Sequence, residues 1–416
     1  MKTACVIGEL MRSKHFNEAR QRRLECRLPV YSPEHSLLAI KLGQMEHICD
    51  GIGDNPGVIE SFTFQLIQSL SQSPDLTCFE MSLSILNKAA LMYHQVKALL
   101  CQDIFWETIS EVMTRNPSTI DTLTYNIGLF IELMENPSFI VTINNLRCSI
   151  LLAARILKSD FDRSSSHNLH NLLVFLFNVL EKAGKGGFRK FNALLSFPKL
   201  LNRVRAIKNF DVWMDCLDFM CFCVIDTPEY FDLLDFGTLD ELIAFLIDGL
   251  SSSSIEVVDQ IKIFRLVNGM IARGSSIPYR LFYTELGHSF IERTISTIAY
   301  EYDCTLSYEA AQTILNCMPK FPLDCSMVLQ KSGAMFIFLD SLDEVAMQPH
   351  WKDVVIAILE LILLMCECEL SEESRESLLG EESIALLERL ESSDTKCIRN
   401  YSSAINKFIE QNLFDN

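Results

Sequence analysis

The sequence predicts an all-α protein folded as an armadillo- or HEAT-like right-handed superhelical solenoid. Apolar residues recur at helical spacing along almost the whole chain, and strand-type alternation bounded by turn residues is scarce. Proline and glycine fall between the apolar runs. Segments with a similar residue pattern recur at intervals close to roughly 40–47 residues, which is the length of an armadillo or HEAT unit. A chain of 416 residues then holds about eight to nine three-helix repeats, stacked because one unit cannot bury its own apolar face.

Two apolar stripes illustrate the helical period. The first consists of Phe79, Leu83, Leu86, Ala90 and Tyr93, and the second of Val355, Ile358, Leu359 and Ile362. Residues 384–408 predict two helices that cap the array. Residues 367–382 are acidic and contain several serines, which predicts a surface loop.

Composition narrows the class of protein. Hydrophobic residues make up 49% of the chain, so a large core is expected and a wholly disordered chain is excluded. The formal net charge of −18 argues against nucleic acid as a partner, because phosphate binding relies on Lys and Arg. A basic polypeptide is a more natural partner, although such a charge can also serve solubility alone. Residues 1–27 lack the apolar core of a signal peptide, and the longest apolar stretch, 354–366, is too short to span a membrane.

The 15 cysteines indicate reduced thiols rather than a metal site or a disulfide framework. They lie singly in apolar runs, no CxxC occurs, and the only close pairs are Cys221/Cys223 and Cys366/Cys368. Buried thiols of this kind are typical of the cytoplasm and nucleus. No Ser/His/Asp or Cys/His set has a local signature, so we expect neither an enzyme nor a cofactor.

Two sets of recurring residues define the repeat. Three glycines, each placed before an apolar helix, are 50 and 46 residues apart, and each could end one helix in the left-handed conformation: Gly237, Gly287 and Gly333. A second frame runs through Asn87, Asn126, Asn178, Phe222, Asn268 or Gly269, Asn316 and Leu361. Counted with Gly269, its steps are 39, 52, 44, 47, 47 and 45 residues. An asparagine at these positions either lines a shared surface or joins neighbouring helices within the core.

Several segments in this frame resemble importin alpha, the armadillo adaptor that reads nuclear localisation signals. Residues 308–316 (YEAAQTILN) are similar to the family's KEAxWTxSN helix, and 264–269 (FRLVNG) to its LRxxGN helix. Residues 214–222 resemble DACWALSY, and 354–361 with 383–408 resemble the last repeat and the family's ending. The resemblance covers about residues 20–410. The family's Trp position is instead occupied by Leu83, Thr122, Val174, Asp218 and Gln312.

The resemblance implies a set of peptide-binding residues. In the family, asparagine amides hold the backbone of the bound peptide and Trp faces hold its Lys and Arg side chains. The matching positions here are Asn87, Asn126, Asn178, Asn268 and Asn316, with Arg265 at the family's one basic replacement of Trp. A surface salt bridge is the alternative interpretation of Arg265. The basic residues Arg20, Arg22 and Arg23 resemble the end of the segment that binds importin beta, or else belong to a frayed basic terminus.

These inferences give a domain layout and two functional hypotheses. Residues 1–28 would be a basic arm, and residues 29–410 the solenoid. The leading hypothesis is an adaptor that binds basic cargo peptides in a concave groove and links them to importin beta for nuclear import, working in cytoplasm and nucleus without nucleic-acid or membrane partners. The alternative is a non-transport armadillo scaffold with altered specificity. A continuous acidic groove would favour transport, and an apolar or mixed one would favour the scaffold.

Overall fold

The computed structural model describes the chain at residues 42–46, 56–73, 75–136, 139, 142–158, 166–188, 197–226, 239–252, 254–273 and 276–413. Within these residues the regular structure is helical and no strand occurs. The predicted all-α class is therefore confirmed. The helices belong to two compact units, residues 1–196 and residues 197–416.

The first unit contains a helical segment at residues 42–46 and eight further helices among its described residues. They are α1 (Pro56–Gln72), α2 (Leu76–Met92), α3 (His94–Leu100), α4 (Asp103–Arg115), α5 (Thr119–Tyr125), α6 (Ile127–Glu135), α7 (Ile143–Lys158) and α8 (Ser166–Phe188). Helices α1, α4 and α7 pack on one another in succession, while α2 contacts α5 and α6 contacts α8. The serine-rich stretch 160–167 has a sequence typical of an inserted loop; its residues up to 165 lie outside the described residues, and Ser166 and His167 begin α8.

The second unit begins with α9 (Phe197–Ile207) and α10 (Phe210–Cys221), which continues into a short π-helix (Phe222–Asp226). The remaining α-helices of its described part are α11 (Leu239–Leu250), α12 (Val257–Ala272), α13 (Ile277–Tyr283), α14 (Glu285–Tyr300), α15 (Cys304–Cys317), α16 (Pro322–Lys331), α17 (Ala334–Val345), α18 (Lys352–Cys366), α19 (Glu372–Leu379), α20 (Glu381–Glu391) and α21 (Lys396–Asn412). A 3-10 turn (Pro349–Trp351) precedes α18.

Helices of the second unit pack in two rows. Helices α10, α12, α15, α18 and α21 each contact the next, and their first residues are 47, 47, 48 and 44 positions apart. Helices α11, α14 and α17 form a parallel series of contacts, and the short helices α13 and α16 also touch. Equivalent side chains of successive helices within a row are thereby placed side by side.

The core follows the predicted stripes. All nine side chains of the two stripes are buried, on α2 with the residue after it and on α18. Aromatic rings fill the layer between helices in both units, as where Phe130 stacks on Phe105 at 5.9 Å and Trp213 stacks on Phe245 at 4.8 Å. Burial of these stripes is the main stabilising contribution, at roughly 25 cal/mol per Å² of apolar surface.

Basic side chains join successive helices at their carboxyl ends. Arg115 donates to the carbonyl of Ser71 at 3.0 Å, and Arg293 to that of Leu250 at 2.8 Å. The Lys320 Nζ donates to Ile271 O at 2.7 Å. The last carbonyls of a helix have no partner within the helix and carry partial negative charge, so a cation from the neighbouring helix satisfies both needs.

The recurring glycines of the repeat have two different roles. Gly333 lies between α16 and α17 with φ of 68°, in the left-handed conformation expected of it. Gly287 is different, because it lies in the first turn of α14 without a positive φ. A Cβ there would lie 2.2 Å from the carbonyl oxygen of Arg280, so this glycine permits the backbone of α13 to approach α14. The left-handed interpretation of Gly287 is therefore wrong, and Gly237 lies outside the described residues.

The carboxyl-terminal part corrects one expectation and confirms another. The acidic stretch 367–382 is not a loop, because it contains α19 and the first turn of α20. Ser371 caps α19 by accepting from the backbone N–H of Ser374, and Leu378 is buried beneath it. The two helices expected over 384–408 are present as α20 and α21.

Candidate peptide-binding site

Three of the predicted site residues lie together on neighbouring helices of the second unit. Arg265 and Asn268 are on α12, and Asn316 is one repeat later on α15. The Asn316 Nδ2 donates to Asn268 Oδ1 at 3.3 Å. Asn316 is exposed and Asn268 is half-buried. Asparagines 48 positions apart in the sequence therefore touch, as expected when equivalent helices of a repeat stack.

Glu309, on α15, joins this cluster and was not among the predicted site residues. Its Oε1 accepts from Arg265 Nε at 2.7 Å, and its backbone carbonyl accepts from Asn268 Nδ2 at 3.2 Å. The Glu309 side chain is 18% exposed, whereas that of Arg265 is 54% exposed. We call these four residues, Arg265, Asn268, Glu309 and Asn316, the asparagine network. Residue Glu309 is the glutamate of the family-like segment 308–316, so its place in that motif was available as a sequence indication.

A second charged pair lies one helix earlier at the same sequence separation of 44 residues. The Lys262 Nζ of α12 bonds Asp218 Oδ1 of α10 at 2.7 Å and lies 3.3 Å from Asp259 Oδ1. Asp218 occupies the family's Trp position, as Arg265 does in the next repeat. The surface along α10, α12 and α15 therefore carries paired charges of both signs instead of a run of acids.

The exchange of Asn and Gly at 268 and 269 has a packing reason. A Cβ on Gly269 would lie 3.1 Å from Val224 Cγ1, within the π-helix that follows α10. A larger side chain at 269 would have to displace that contact. The asparagine is therefore one position earlier than in the family-like frame, where it reaches Glu309 and Asn316.

The three predicted asparagines of the first unit lie in different settings. The Asn178 side chain on α8 is 9% exposed, and its Nδ2 lies 3.4 Å from Glu135 Oε1. Asn126 is not inside a helix as expected, but at the junction of α5 and α6, where its Nδ2 donates to Thr122 O at 2.8 Å. Such a side-chain bond to a helix carbonyl competes with the helix itself and accounts for the break. Asn87 is half-buried on α2.

The predicted arm residues Arg20, Arg22 and Arg23 lie outside the described residues, and the tryptophans of the chain belong to the core. The tryptophans are buried in packing layers, where Trp213 donates from Nε1 to Phe245 O at 3.1 Å. No described tryptophan therefore forms an exposed slot for a cationic side chain.

Buried cysteines of the described residues are held as neutral thiols. No cluster of three or more His, Cys, Asp or Glu side chains is arranged to hold a metal ion in this part of the chain. Burial raises the pKa of the Cys101 thiol to about 11 and that of the Cys317 thiol to about 12. Thiols held neutral in this way are poor nucleophiles and poor metal ligands.

Among the described residues, none of the helices combines the length and apolar character needed to cross a lipid bilayer. No protein-family model matches the chain, and no curated protein matches its sequence significantly.

Proposed function

We propose that this chain is a protein-binding adaptor that holds an extended segment of a partner on asparagine amides, in the manner of importin alpha. In its leading form it carries basic cargo peptides, is joined to importin beta through its basic arm, and works in cytoplasm and nucleus. The proposal includes an armadillo-like solenoid. Support for that architecture is the regular packing of α10, α12, α15, α18 and α21, with first residues 44 to 48 positions apart.

The observation that carries the proposal is the contact between Asn268 and Asn316. These amides come from equivalent helices, and Asn316 is exposed. An amide can donate to and accept from a peptide backbone, so a row of amides gives a grip that tolerates many sequences. Neighbouring helices stack at roughly 8–10 Å and an extended peptide advances about 3.3 Å per residue. Successive amides along the row would then contact the peptide at every second or third residue.

One observation favours the second candidate, a non-transport scaffold. The pairs Arg265–Glu309 and Lys262–Asp218 give the surface along these helices a mixed charge. Basic peptides gain less from such a surface than from unpaired carboxylates, and the missing Trp faces remove roughly 0.5–2 kcal/mol of cation–π attraction per Lys. Binding of a simple Lys-rich signal is therefore expected to be weak and sensitive to salt.

The test is a titration of the full chain with two extended peptides. One is Lys-rich, and the other is a neutral peptide of the same length. For the double variant Asn268→Ala/Asn316→Ala we expect the Kd of the bound peptide to rise about tenfold, since two hydrogen-bonding positions are lost. The control is Asn400→Ala, an exposed asparagine on α21 of the same unit.

The outcomes separate the candidates. Preference for the Lys-rich peptide supports transport, and preference for the neutral peptide supports the scaffold. Binding that is equally tight in the double variant and the control would show that the asparagine network is not the peptide site.

A further inference from the structure

The short helices α13 and α16 of the second unit present an exposed apolar surface that the asparagine network does not use. Tyr279 and Tyr283 stack on each other with ring centroids 4.4 Å apart, and they are 48% and 45% exposed. On α16, one turn apart, Leu323 is 69% exposed and Met327 is 48% exposed. We call these four residues the tyrosine–leucine strip.

The two halves of the strip are held together by direct contacts. Tyr283 bonds the side chain of Asp324, next to Leu323, and that hydrogen bond is the main cause of its pKa being raised to about 12. The Tyr283 ring also meets Phe321 edge-on at 6.2 Å. Helices α13 and α16 pack on each other. The strip is thus one continuous surface, of the Tyr- and Met-bearing kind that is enriched at protein interfaces.

A cleft of about 440 Å³ opens beside Leu323 and Met327. Its far wall is the turn before α19, which Gln330 fixes to α16. The Gln330 amide donates to Glu369 O at 3.0 Å and accepts from the backbone N–H of Ser371. Gln330 is 7% exposed, and its amide also donates to Ser326 Oγ at 2.8 Å. The wall is therefore already in place before any partner arrives, which lowers the entropic cost of binding.

The charged side chains around this surface indicate which charge a partner would carry. Glu369 and Glu373 are exposed at the cleft, Asp324 lies beside Tyr283, and Lys331 is the one basic side chain lining the cleft. Neither Glu369 nor Glu373 makes an ion pair among the described residues. A partner with Lys or Arg beside its apolar groups complements this rim.

The lining also defines the conformation of a partner. It consists of α16, whose backbone groups are paired within the helix, and of the turn 367–371, where the Gln330 amide already bonds Glu369 O and the Ser371 N–H. An extended peptide would find few partners for its own N–H and C=O groups on such a surface. A helix satisfies its backbone internally and offers only side chains.

From these observations we infer that the tyrosine–leucine strip and its cleft dock an amphipathic helix of a partner protein, with the apolar face on the strip and basic residues along the Glu369–Glu373 rim. This surface is separate from the asparagine network. The chain thereby offers two kinds of site, one for an extended segment and one for a helix.

The experiment uses the full chain and three fluorescent peptides of about four helical turns. The first has Leu on one face and Lys on the other, the second replaces every Lys by Glu, and the third has the first composition interrupted by two prolines. We expect fluorescence anisotropy to show binding of the Leu/Lys helix at least about tenfold tighter than of either other peptide, because only it matches apolar face, charge and conformation.

The variant Leu323→Ser/Met327→Ser should raise the Kd of the Leu/Lys helix about tenfold or more, since two anchors lose their apolar contact. Its matched control is Leu91→Ser/Met347→Ser, which changes a leucine and a methionine that are 57% and 74% exposed elsewhere. All four side chains are well exposed, so both variants should fold, as circular dichroism can verify. The variant Asn268→Ala/Asn316→Ala should bind this helix unchanged, so the result is independent of the extended-peptide site.

Three results would overturn the inference. One is an equal loss in the strip variant and its control, and another is equal binding of the acidic or proline-interrupted peptide. The third is sedimentation showing that the free chain self-associates and that Leu323→Ser/Met327→Ser abolishes the association, since the strip would then be an interface between copies.

Discussion

Glu309 contacts two of the predicted site residues, Arg265 and Asn268, and its charge bears on what the proposed peptide site would bind. Its carboxylate is paired with Arg265, and its backbone carbonyl holds Asn268 in contact with Asn316. While the pair is closed, the negative charge of Glu309 is largely neutralised for an incoming cation. The family resemblance implied Arg265 and the two asparagines as peptide-binding residues, with a surface salt bridge as the alternative for Arg265. The structure places Arg265 in such a bridge.

The variant Arg265→Gln should strengthen binding of a Lys-rich peptide. Removing the guanidinium leaves the Glu309 carboxylate unpaired beside the two asparagines, and the gain for a partly exposed pair is about threefold to fivefold in Kd at low salt. Peptide titration at two salt concentrations measures it, and the gain should shrink at the higher one.

The matched control for this prediction is Arg389→Gln. Arg389 is 49% exposed and paired with Asp343, so the change in net charge and the loss of an ion pair are the same. An equal gain in both variants would mean that overall charge is responsible and that Glu309 has no special role.

At the scale of the element, glycines that recur at equivalent places in the sequence are required for different structural reasons. Gly333 is needed for its backbone conformation, whereas Gly287 is needed because α13 comes too close for a side chain. A one-dimensional pattern records that a glycine recurs, but the approach of another helix is a property of the packed structure. The same holds for α19, whose polar sequence resembles a loop and whose helix depends on the Ser371 cap and the burial of Leu378.

The two glycines should respond differently to alanine. Gly287→Ala brings a Cβ against the Arg280 and Leu281 carbonyls, 2.2 and 2.5 Å away, and should lower the free energy of unfolding by about 3 kcal/mol. Gly333→Ala meets no atom within 4 Å and carries only the cost of a left-handed alanine, about 1–2 kcal/mol. Urea denaturation of both variants measures the difference. A cost for Gly287→Ala no larger than for Gly333→Ala would contradict the close approach of α13.

At the scale of the whole molecule, the proposed adaptor needs a connection between cargo and carrier. The sequence suggests that this connection is the basic arm, 1–28, which lies outside the described residues. Each compact unit has its own core, and the two kinds of site argued above both lie in the second unit. The transport hypothesis therefore requires the arm to act as a separate binding segment.

Charge reversal in the arm should weaken binding to importin beta if the chain is a transport adaptor. We expect Arg22→Glu/Arg23→Glu to raise the Kd by about tenfold or more, since a basic segment bound by an acidic carrier loses two attractions and gains two repulsions. The comparison variant Lys2→Glu/Lys14→Glu reverses two charges in the same arm but outside the family-like end, and should have a smaller effect. Pull-down with purified importin beta measures both, and absence of binding by the unchanged arm would leave the scaffold as the better candidate.

The sequence by itself determined the helical class and the buried faces, because a 3.6-residue apolar period is a local property of the chain. The stripes on α2 and α18 are buried as predicted. The tertiary structure alone decided which polar groups meet, as in the contacts of Glu309 with α12 and of Gln330 with the turn before α19. These partners are 44 and 39 positions apart. Their meeting depends on the rotation and offset of whole helices, which the packing of many side chains sets together.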